Sequence, residues 1–291
     1  MEKKMISVII PVYNEEESIA HDIDSVRKAM DASGMTYELI VIDDASLDKS
    51  GEIAKAKGVK LITHPVNKGV GAARKTGILN AKYDIVATTD GDGTYPNHEM
   101  PGLARLIGEY DMVVGARTGP NVHVSLIRWL PKFLIRKLAE YLTRHKIPDL
   151  NSGLRVFKKE TALKYFYLLP DSHSWESTIT LSFLFNGHPV KFVPVDYYKR
   201  MGGKSSFTPF RDTYNYISLI VRTVMYFNPL RIFIPLIAAS FVLSMLKFIF
   251  DIFAYRHLSQ TGIVMMTFTF NTMMIGLLAD LIVTLSRKTR T

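Results

Sequence analysis

The stretch YDIVATTDGDGTYP, residues 83–96, begins as a short β-rich run and ends on two acids separated by one glycine. Asp90 and Asp92 in this D-x-D spacing fall on the same side of an extended turn. Hard oxygen ligands so placed suit Mg2+ or Mn2+ that also holds a phosphate. A calcium loop fails on detail: with Asp90 at its first position, the required glycine would be Tyr95 and the terminal glutamate Pro101. The glycines let backbone and ligand approach closely, and Pro96 suits the start of a following helix.

Outward from that stretch, runs of the same kind recur from residue 5 to about 116: ISVII, YELIVID, VKLIT and DMVVGA. Residues 15–31, 48–57, 69–81 and 97–108 between them are long enough for crossover helices, so an α/β fold with a mostly parallel sheet is expected. Ligands of such sheets bind beyond the carboxyl ends of the strands. Residues 14–16, Asp43 with Asp44, and Asp90 with Asp92 each follow a strand and should converge on one rim. Carboxylates crowded on one edge repel each other unless a cation or a donor-rich ligand joins them. Helix capping is the competing reading for Asp48 and Asp43.

Two other nucleotide signatures fail. GGKS at 202–205 has Tyr198 where a P-loop needs its first glycine, and Pro209 follows in place of a long helix. Gly69-Val70-Gly71 opens a GxGxx pattern that reaches Arg74 and follows the third strand, not the first, which argues against dinucleotide binding. Glycines and Arg74 at a helix start still favour an anion.

The tail has a different character. Apolar residues dominate 232–253 and 263–285, each long enough to cross a hydrocarbon core that needs about 20 helical residues, so a two-helix transmembrane hairpin is expected. Lys247 and Asp251, four apart, read as a local ion pair or as a coupling to substrate, and Asn271 and Asp280 lie in the second run. Arg211, Arg222 and Arg231 precede the first run and Arg287, Lys288 and Arg290 follow the second, which places both termini in the cytoplasm. The opening MEKKMISVIIPVYNEE has too short an apolar run for a signal peptide and no small-residue cleavage site. Residues 124–146 interleave leucines and isoleucines with basic residues around Trp129, as an interfacial amphipathic helix broken near Pro131 or an ordinary core helix would. A similar segment, residues 214–227, leads into the first span. The 291-residue chain has no cysteine and a net charge of +9, which excludes a thiolate metal site and favours anionic partners. Beside two membrane spans these are phospholipid headgroups and phosphorylated substrates; no nucleic-acid-binding signature competes.

Seven stretches in order, PVYNEE (11–16), VIDDASLD (41–48), NKGVGAARKTG (67–77), DGDGTYP (90–96), VVGAR (113–117), NSGLRVFKKE (151–160) and RMGGKSSF (200–207), resemble the family-2 glycosyltransferases that charge polyprenyl phosphates. The subgroup is that of dolichyl-phosphate mannose synthase and the bacterial undecaprenyl-phosphate glycosyltransferases. The resemblance runs from residue 5 to about 210, and the two-span tail is similar to that of the bacterial branch. It implies a GT-A, Rossmann-like catalytic domain over residues 1–210, a juxtamembrane amphipathic helix over 211–229 and the hairpin over 230–291. The implied reaction moves a sugar, with inversion, from a UDP- or GDP-sugar to a lipid phosphate at the cytoplasmic membrane face.

Residue by residue, the resemblance implies that Pro11, Tyr13, Glu15 and Asp44 hold the nucleoside, the Asp44 carboxylate accepting an N–H from the base. Lys68 and Arg74 join the donor site. Asp90 and Asp92 frame the Mg2+ or Mn2+ and the sugar diphosphate. Relatives often carry Gln where this chain has Thr94, so the Thr94 hydroxyl, a water or nothing fills that coordination position. Arg200 and Lys204 close over the diphosphate, and Arg117 with Arg155 receive the acceptor phosphate. Glu176 is a weaker candidate, and Tyr95 reads equally as sugar-pocket lining or as packing. A phosphate monoester is largely dianionic at neutral pH, so its attacking oxygen needs no general base. The rivals are a transferase whose acceptor is a hydroxyl of a lipid or polysaccharide, and a non-catalytic nucleotide-sugar-binding scaffold. The hairpin has three open roles: anchor, homo-oligomer contact, or presentation of the acceptor.

Overall fold

The structure is a computed structural model that describes residues 4–122, 129–172, 174–202, 218, 221–222, 224–257 and 259–288. It divides into two compact units, residues 1–217 and 218–291.

The first unit is built on a seven-stranded sheet of order β3-β2-β1-β4-β6-β5-β7. Its strands are β1 Met5–Val12, β2 Thr36–Asp43, β3 Lys60–Thr63, β4 Ile85–Thr88, β5 Met112–Val122, β6 Arg155–Lys158 and β7 Val190–Tyr197. β1 pairs in parallel with β2 and β4, β2 with β3, and β5 with β7, while β6 runs antiparallel to both β4 and β5. The expected sheet is therefore present, with one reversed strand inserted at its centre. RVFK of β6 is too short and too polar at its ends to show any periodicity, and its pairing is decided by the strands on either side.

β1 is apolar almost throughout because both its faces are covered. Val8, Ile10 and Val12 pack on one side with Ile19, Ile23, Val26 and Met30 of α1 (Ile19–Ser33), Ala54 of α2 (Ser50–Ala56) and Leu103 of α4 (Met100–Arg105). Ile9 packs on the other side with Ala73 and Ile78 of α3 (Val70–Asn80), Ala162 of α6 (Lys159–Lys164) and Ile179 and Phe183 of α7 (Trp175–Phe185). The stretch read as one helix over 97–108 is a 3-10 turn, Asn97–Glu99, followed by the short α4.

α5 spans Trp129–Thr143 without a break at Pro131. Pro131 lies in the first turn, where a missing N–H costs nothing, so the expected interruption does not occur. Among its described side chains Ala139 and Leu142 are buried, and Lys137 and Tyr141 are exposed.

The second unit contains α8, Leu230–Tyr255, and α9, Gln260–Lys288, both long and apolar enough to cross a bilayer. Its polarity is reversed relative to a soluble helix pair: Phe241, Leu246, Phe253, Val264 and Ile282 face outward, while Ser244, Asp251 and Thr269 are buried. Ser244 Oγ and Thr269 Oγ1 meet across the two helices at 3.0 Å. Apolar residues outside and hydroxyls at the helix contact are the pattern of helices packed in lipid. Lys247 Nζ lies 2.6 Å from Asp251 Oδ1, the local pair expected from their spacing. Asp251 Oδ2 also accepts from the Ser259 N–H and hydroxyl, which ties the connection to the end of α8.

Candidate active site

Parallel pairing brings the carboxyl ends of β1, β2 and β4 side by side, with Val12 opposite Asp43 and Ile9 opposite Thr88. The segments that leave these ends are stitched together. Asn14, at φ 56°, donates its N–H to Ser46 Oγ, and the Glu15 N–H donates to Ser50 Oγ. Pro11 is buried within β1, and the Tyr13 ring is 43% exposed at the rim.

Asp90 and Asp92 stand on this rim with side chains 31% and 14% exposed. Arg74 Nη2 holds Asp90 Oδ1 at 2.6 Å, and the far end of the same guanidinium pairs with Glu176. Burial, then the charge of Asp90, raises the Asp92 carboxyl above the ordinary range. The Thr94 hydroxyl donates to Asp92 Oδ1 at 2.6 Å. Thr94 is 2% exposed, and in this structure its hydroxyl orients the acid.

Arg200 arrives from the loop after β7. The Tyr198 N–H donates to Thr94 O and the Met201 N–H to Asp92 O, laying this segment along the acidic turn. Its guanidinium pairs with Glu15 and lies 3.5 Å from Asp92 Oδ2. Burial pushes the Glu15 carboxyl up to about 7, Arg200 opposing and Asp92 reinforcing the rise. Gly93 takes φ +74°, a left-handed conformation that favours glycine.

Three expectations change. Asp44 is 3% exposed and already engaged by its own chain: Oδ1 meets His64 Nδ1 at 2.6 Å and the Lys68 N–H at 2.9 Å, and Oδ2 accepts from the Gly69 N–H at 2.7 Å. The start of α3 is likewise occupied, since the Gly71 and Ala72 N–H groups both donate to Asp171 O. The anion suggested by its glycines is the chain's own Asp44 carboxylate, and the exposed Lys68 contributes a backbone amide there. Arg74, 1% exposed, serves Asp90 and Glu176 and not a free anion.

Arg155 is the third. It is wholly buried, donating to Ser152 O, Glu176 O and Thr180 Oγ1 and packing 5.8 Å from the Trp175 ring. Burial lowers its pKa to about 10. A guanidinium spent on internal carbonyls is not presented to an acceptor phosphate. Arg117, in contrast, keeps a side chain 22% exposed while Nε and Nη2 grip Asp149 at 2.7 and 2.9 Å. Burial would raise Asp149, but the adjacent Arg117 charge and hydrogen bonds outweigh it and hold the carboxyl at about 2. Tyr95 is packing: it is 4% exposed, its hydroxyl accepts from the Gly153 N–H, and its ring meets Tyr197 edge-on at 5.2 Å. Lys204 lies outside the described residues.

Asp22, His64 and Asp149, which organise this rim, were not singled out from the sequence. Asp149 could have been, since it lies two residues before the 151–160 motif. No cluster of three His, Asp or Glu side chains in ligating geometry occurs among the described residues. The donor set is two hard carboxylates whose mutual repulsion a divalent cation would relieve, and it fits Mg2+ or Mn2+ shared with a ligand's oxygens.

Residues 7–166 match the profile "Glycosyl transferase family 2", and residues 228–285 match "GtrB C-terminal hairpin". An uncharacterized protein of Methanocaldococcus jannaschii is 30% identical over 66% of this chain and 81% of its own length. The undecaprenyl-phosphate 4-deoxy-4-formamido-L-arabinose transferase of Aeromonas hydrophila is 36% identical over 54% of this chain, which spans 49% of that transferase. Among solved structures, glucosyl-3-phosphoglycerate synthase of Mycobacterium tuberculosis, in complex with Mn2+, UDP-glucose and phosphoglyceric acid, shares the fold with a TM-score of 0.60 at 22% identity, over 76% of this chain and 80% of its own.

Proposed function

The chain belongs to glycosyl transferase family 2, and on that premise we propose that it transfers a sugar, with inversion, from a UDP- or GDP-sugar to a polyprenyl phosphate at the cytoplasmic face of a membrane. The carrying observation is one chain that joins the Asp90–Asp92 rim to a hairpin matching that of GtrB. The named activity of the Aeromonas relative supports the lipid phosphate as acceptor. The Mycobacterium synthase, which holds Mn2+ and UDP-glucose on this fold, supports a metal-assisted nucleotide-sugar donor.

In this reading Asp90 and Asp92 hold Mg2+ or Mn2+, which when bound supplies positive charge to the departing nucleoside diphosphate. Arg74 keeps one oxygen of Asp90 engaged, and Thr94 orients Asp92. Pro11, Tyr13 and Glu15 border the nucleoside, and Asp44 acts by fixing the turn into α3. Arg200 trades its contacts with Glu15 and Asp92 for the donor's phosphates, and Lys204 assists it. Arg117, its fork fixed by Asp149, receives the acceptor phosphate; Arg155 supports the wall behind. Attack by a dianionic phosphate oxygen leaves positioning and charge screening as the protein's tasks.

The proposed organisation divides the chain near residues 210 and 229, with catalytic unit and both termini on the cytoplasmic side, following the basic residues that flank the hairpin. The test is transfer of radiolabel from UDP- and GDP-sugars into organic-extractable lipid, with purified full chain, added polyprenyl phosphate, and Mg2+ or Mn2+ against a chelator. One donor giving phosphate-dependent, metal-dependent labelled lipid is the expected result. Nucleotide binding without lipid product from any donor would point to a hydroxyl acceptor or to a non-catalytic protein.

A further inference from the structure

α1 carries an acid where its packing calls for a hydrocarbon. Ile19, Ile23, Val26 and Met30 form its buried face, and Asp22 lies on that same face, 1% exposed. Burying a carboxylate is costly, and more so beside two others: burial, together with Asp92 and Asp90, pushes the Asp22 carboxyl up to about 7 against the opposing Gly93 hydrogen bond. Ser18 is similarly diverted. It is the N-cap of α1, yet its side chain makes no cap hydrogen bond.

Both side chains are spent on the acidic turn. Ser18 Oγ donates to Gly91 O at 2.7 Å, and the Gly93 N–H donates to Asp22 Oδ2 at 2.8 Å. Asp22 Oδ1 accepts from Asn97 Nδ2 at 3.1 Å, and Asn97 Oδ1 accepts from Thr89 Oγ1 at 2.7 Å. Ser18 and Asp22 are one turn apart on α1, so one helix face grips the peptide groups before and after Asp92. Gly91 and Gly93 are the residues least able to hold such a turn by themselves, because glycine has the most backbone freedom to lose.

We propose that Asp22, with Ser18, is a positioning residue that sets the direction of Asp92 by clamping the glycines on both sides of it. The inference rests on the reading of Asp90 and Asp92 as the metal and diphosphate site. Neither side chain touches substrate or metal; each acts through the backbone of the turn. An apolar residue at 22 would pack against α1's neighbours as well or better and would leave the Gly93 N–H buried and unpaired.

The test is calorimetric titration of the full chain in detergent micelles with UDP and with GDP, each in Mn2+ and in chelator, for the wild type, Asp22→Ala, Asp22→Asn and Ser18→Ala. Asp22→Ala is expected to raise the Kd of metal-dependent binding about tenfold or more, the scale of a lost hydrogen bond to a charged group. Binding in chelator should not change. Asp22→Asn keeps an acceptor for the Gly93 N–H and should stay within about threefold of wild type, a rescue that a simple loss of packing would not show. A folded Asp22→Ala with wild-type metal dependence overturns the inference, as does an Asp22→Asn as weak as Asp22→Ala. If Asp22→Ala does not fold, Ser18→Ala decides: an unchanged metal-dependent Kd overturns the inference. A wild type that binds neither nucleotide in a metal-dependent way overturns the metal reading and this inference with it, whereas a metal-dependent wild type with an unaffected Asp22→Ala overturns the inference alone.

Discussion

His64 Nδ1 stands 2.6 Å from Asp44 Oδ1, and the two residues are 5% and 3% exposed. With the Lys68 and Gly69 amides on the same carboxylate, this pair fastens the start of α3 to the end of β2. Asp44→Ala leaves two partly buried amides and the buried imidazole without their acceptor. The expected loss is about 3 kcal/mol of stability or more, read as a lower thermal midpoint of the purified chain. A variant with a wild-type midpoint and weaker nucleotide binding alone would restore the nucleobase role.

Asp92→Asn should abolish transfer while leaving the chain folded and membrane-bound, because a neutral amide oxygen lacks the negative charge that makes a carboxylate a strong ligand for a divalent cation. Labelled-lipid formation and membrane fractionation check it together. Near-normal transfer would remove Asp92 from the metal site.

Arg200→Ala should raise the donor KM about tenfold, the scale of one charge-assisted contact, with a smaller effect on acceptor KM. Initial rates at varied donor and varied acceptor separate the two. Unchanged donor kinetics would confine Arg200 to its contacts with Glu15 and Asp92.

Asp149, held at about 2 in the fold against an ordinary 3.8, binds fewer protons folded than unfolded between those values. Its contribution, about 2 kcal/mol, is therefore complete above about pH 4 and is lost as pH falls through 2. The thermal midpoints of wild type and Asp149→Asn should differ most near pH 6 and draw together toward pH 2.5. A gap that stays constant over this range would show that Arg117 does not stabilise the ionised carboxylate.

Asp251→Ala removes the partner of Lys247 and the acceptor for the Ser259 N–H and hydroxyl at the hairpin connection. The detergent-solubilised chain should lose thermal stability, and Ser259→Ala should lose less. Equal wild-type midpoints for both variants would show that the connection needs no such tie.

Much of this protein is legible locally. The β-rich runs that became β1 to β5, the D-x-D turn and the two apolar tail runs are periodic or contiguous patterns, and a pattern within one segment dictates that segment's structure whatever lies beyond it. The parallel sheet then follows, and with it the convergence of Asp44, Asp90 and Asp92 on one rim, because strand ends in such sheets share an edge. Pairing between distant residues is not written in spacing. Arg74 meets Glu176 across 102 residues and Arg200 meets Glu15 across 185, and until those contacts exist each arginine looks like any other surface cation. Tertiary structure alone therefore decided that Arg155 is an internal brace, that Asp44 is engaged by its own chain, and that Asp22 meets the backbone of the Asp90–Asp92 turn: a polar side chain's role depends on which donors and acceptors folding leaves within about 3 Å of it.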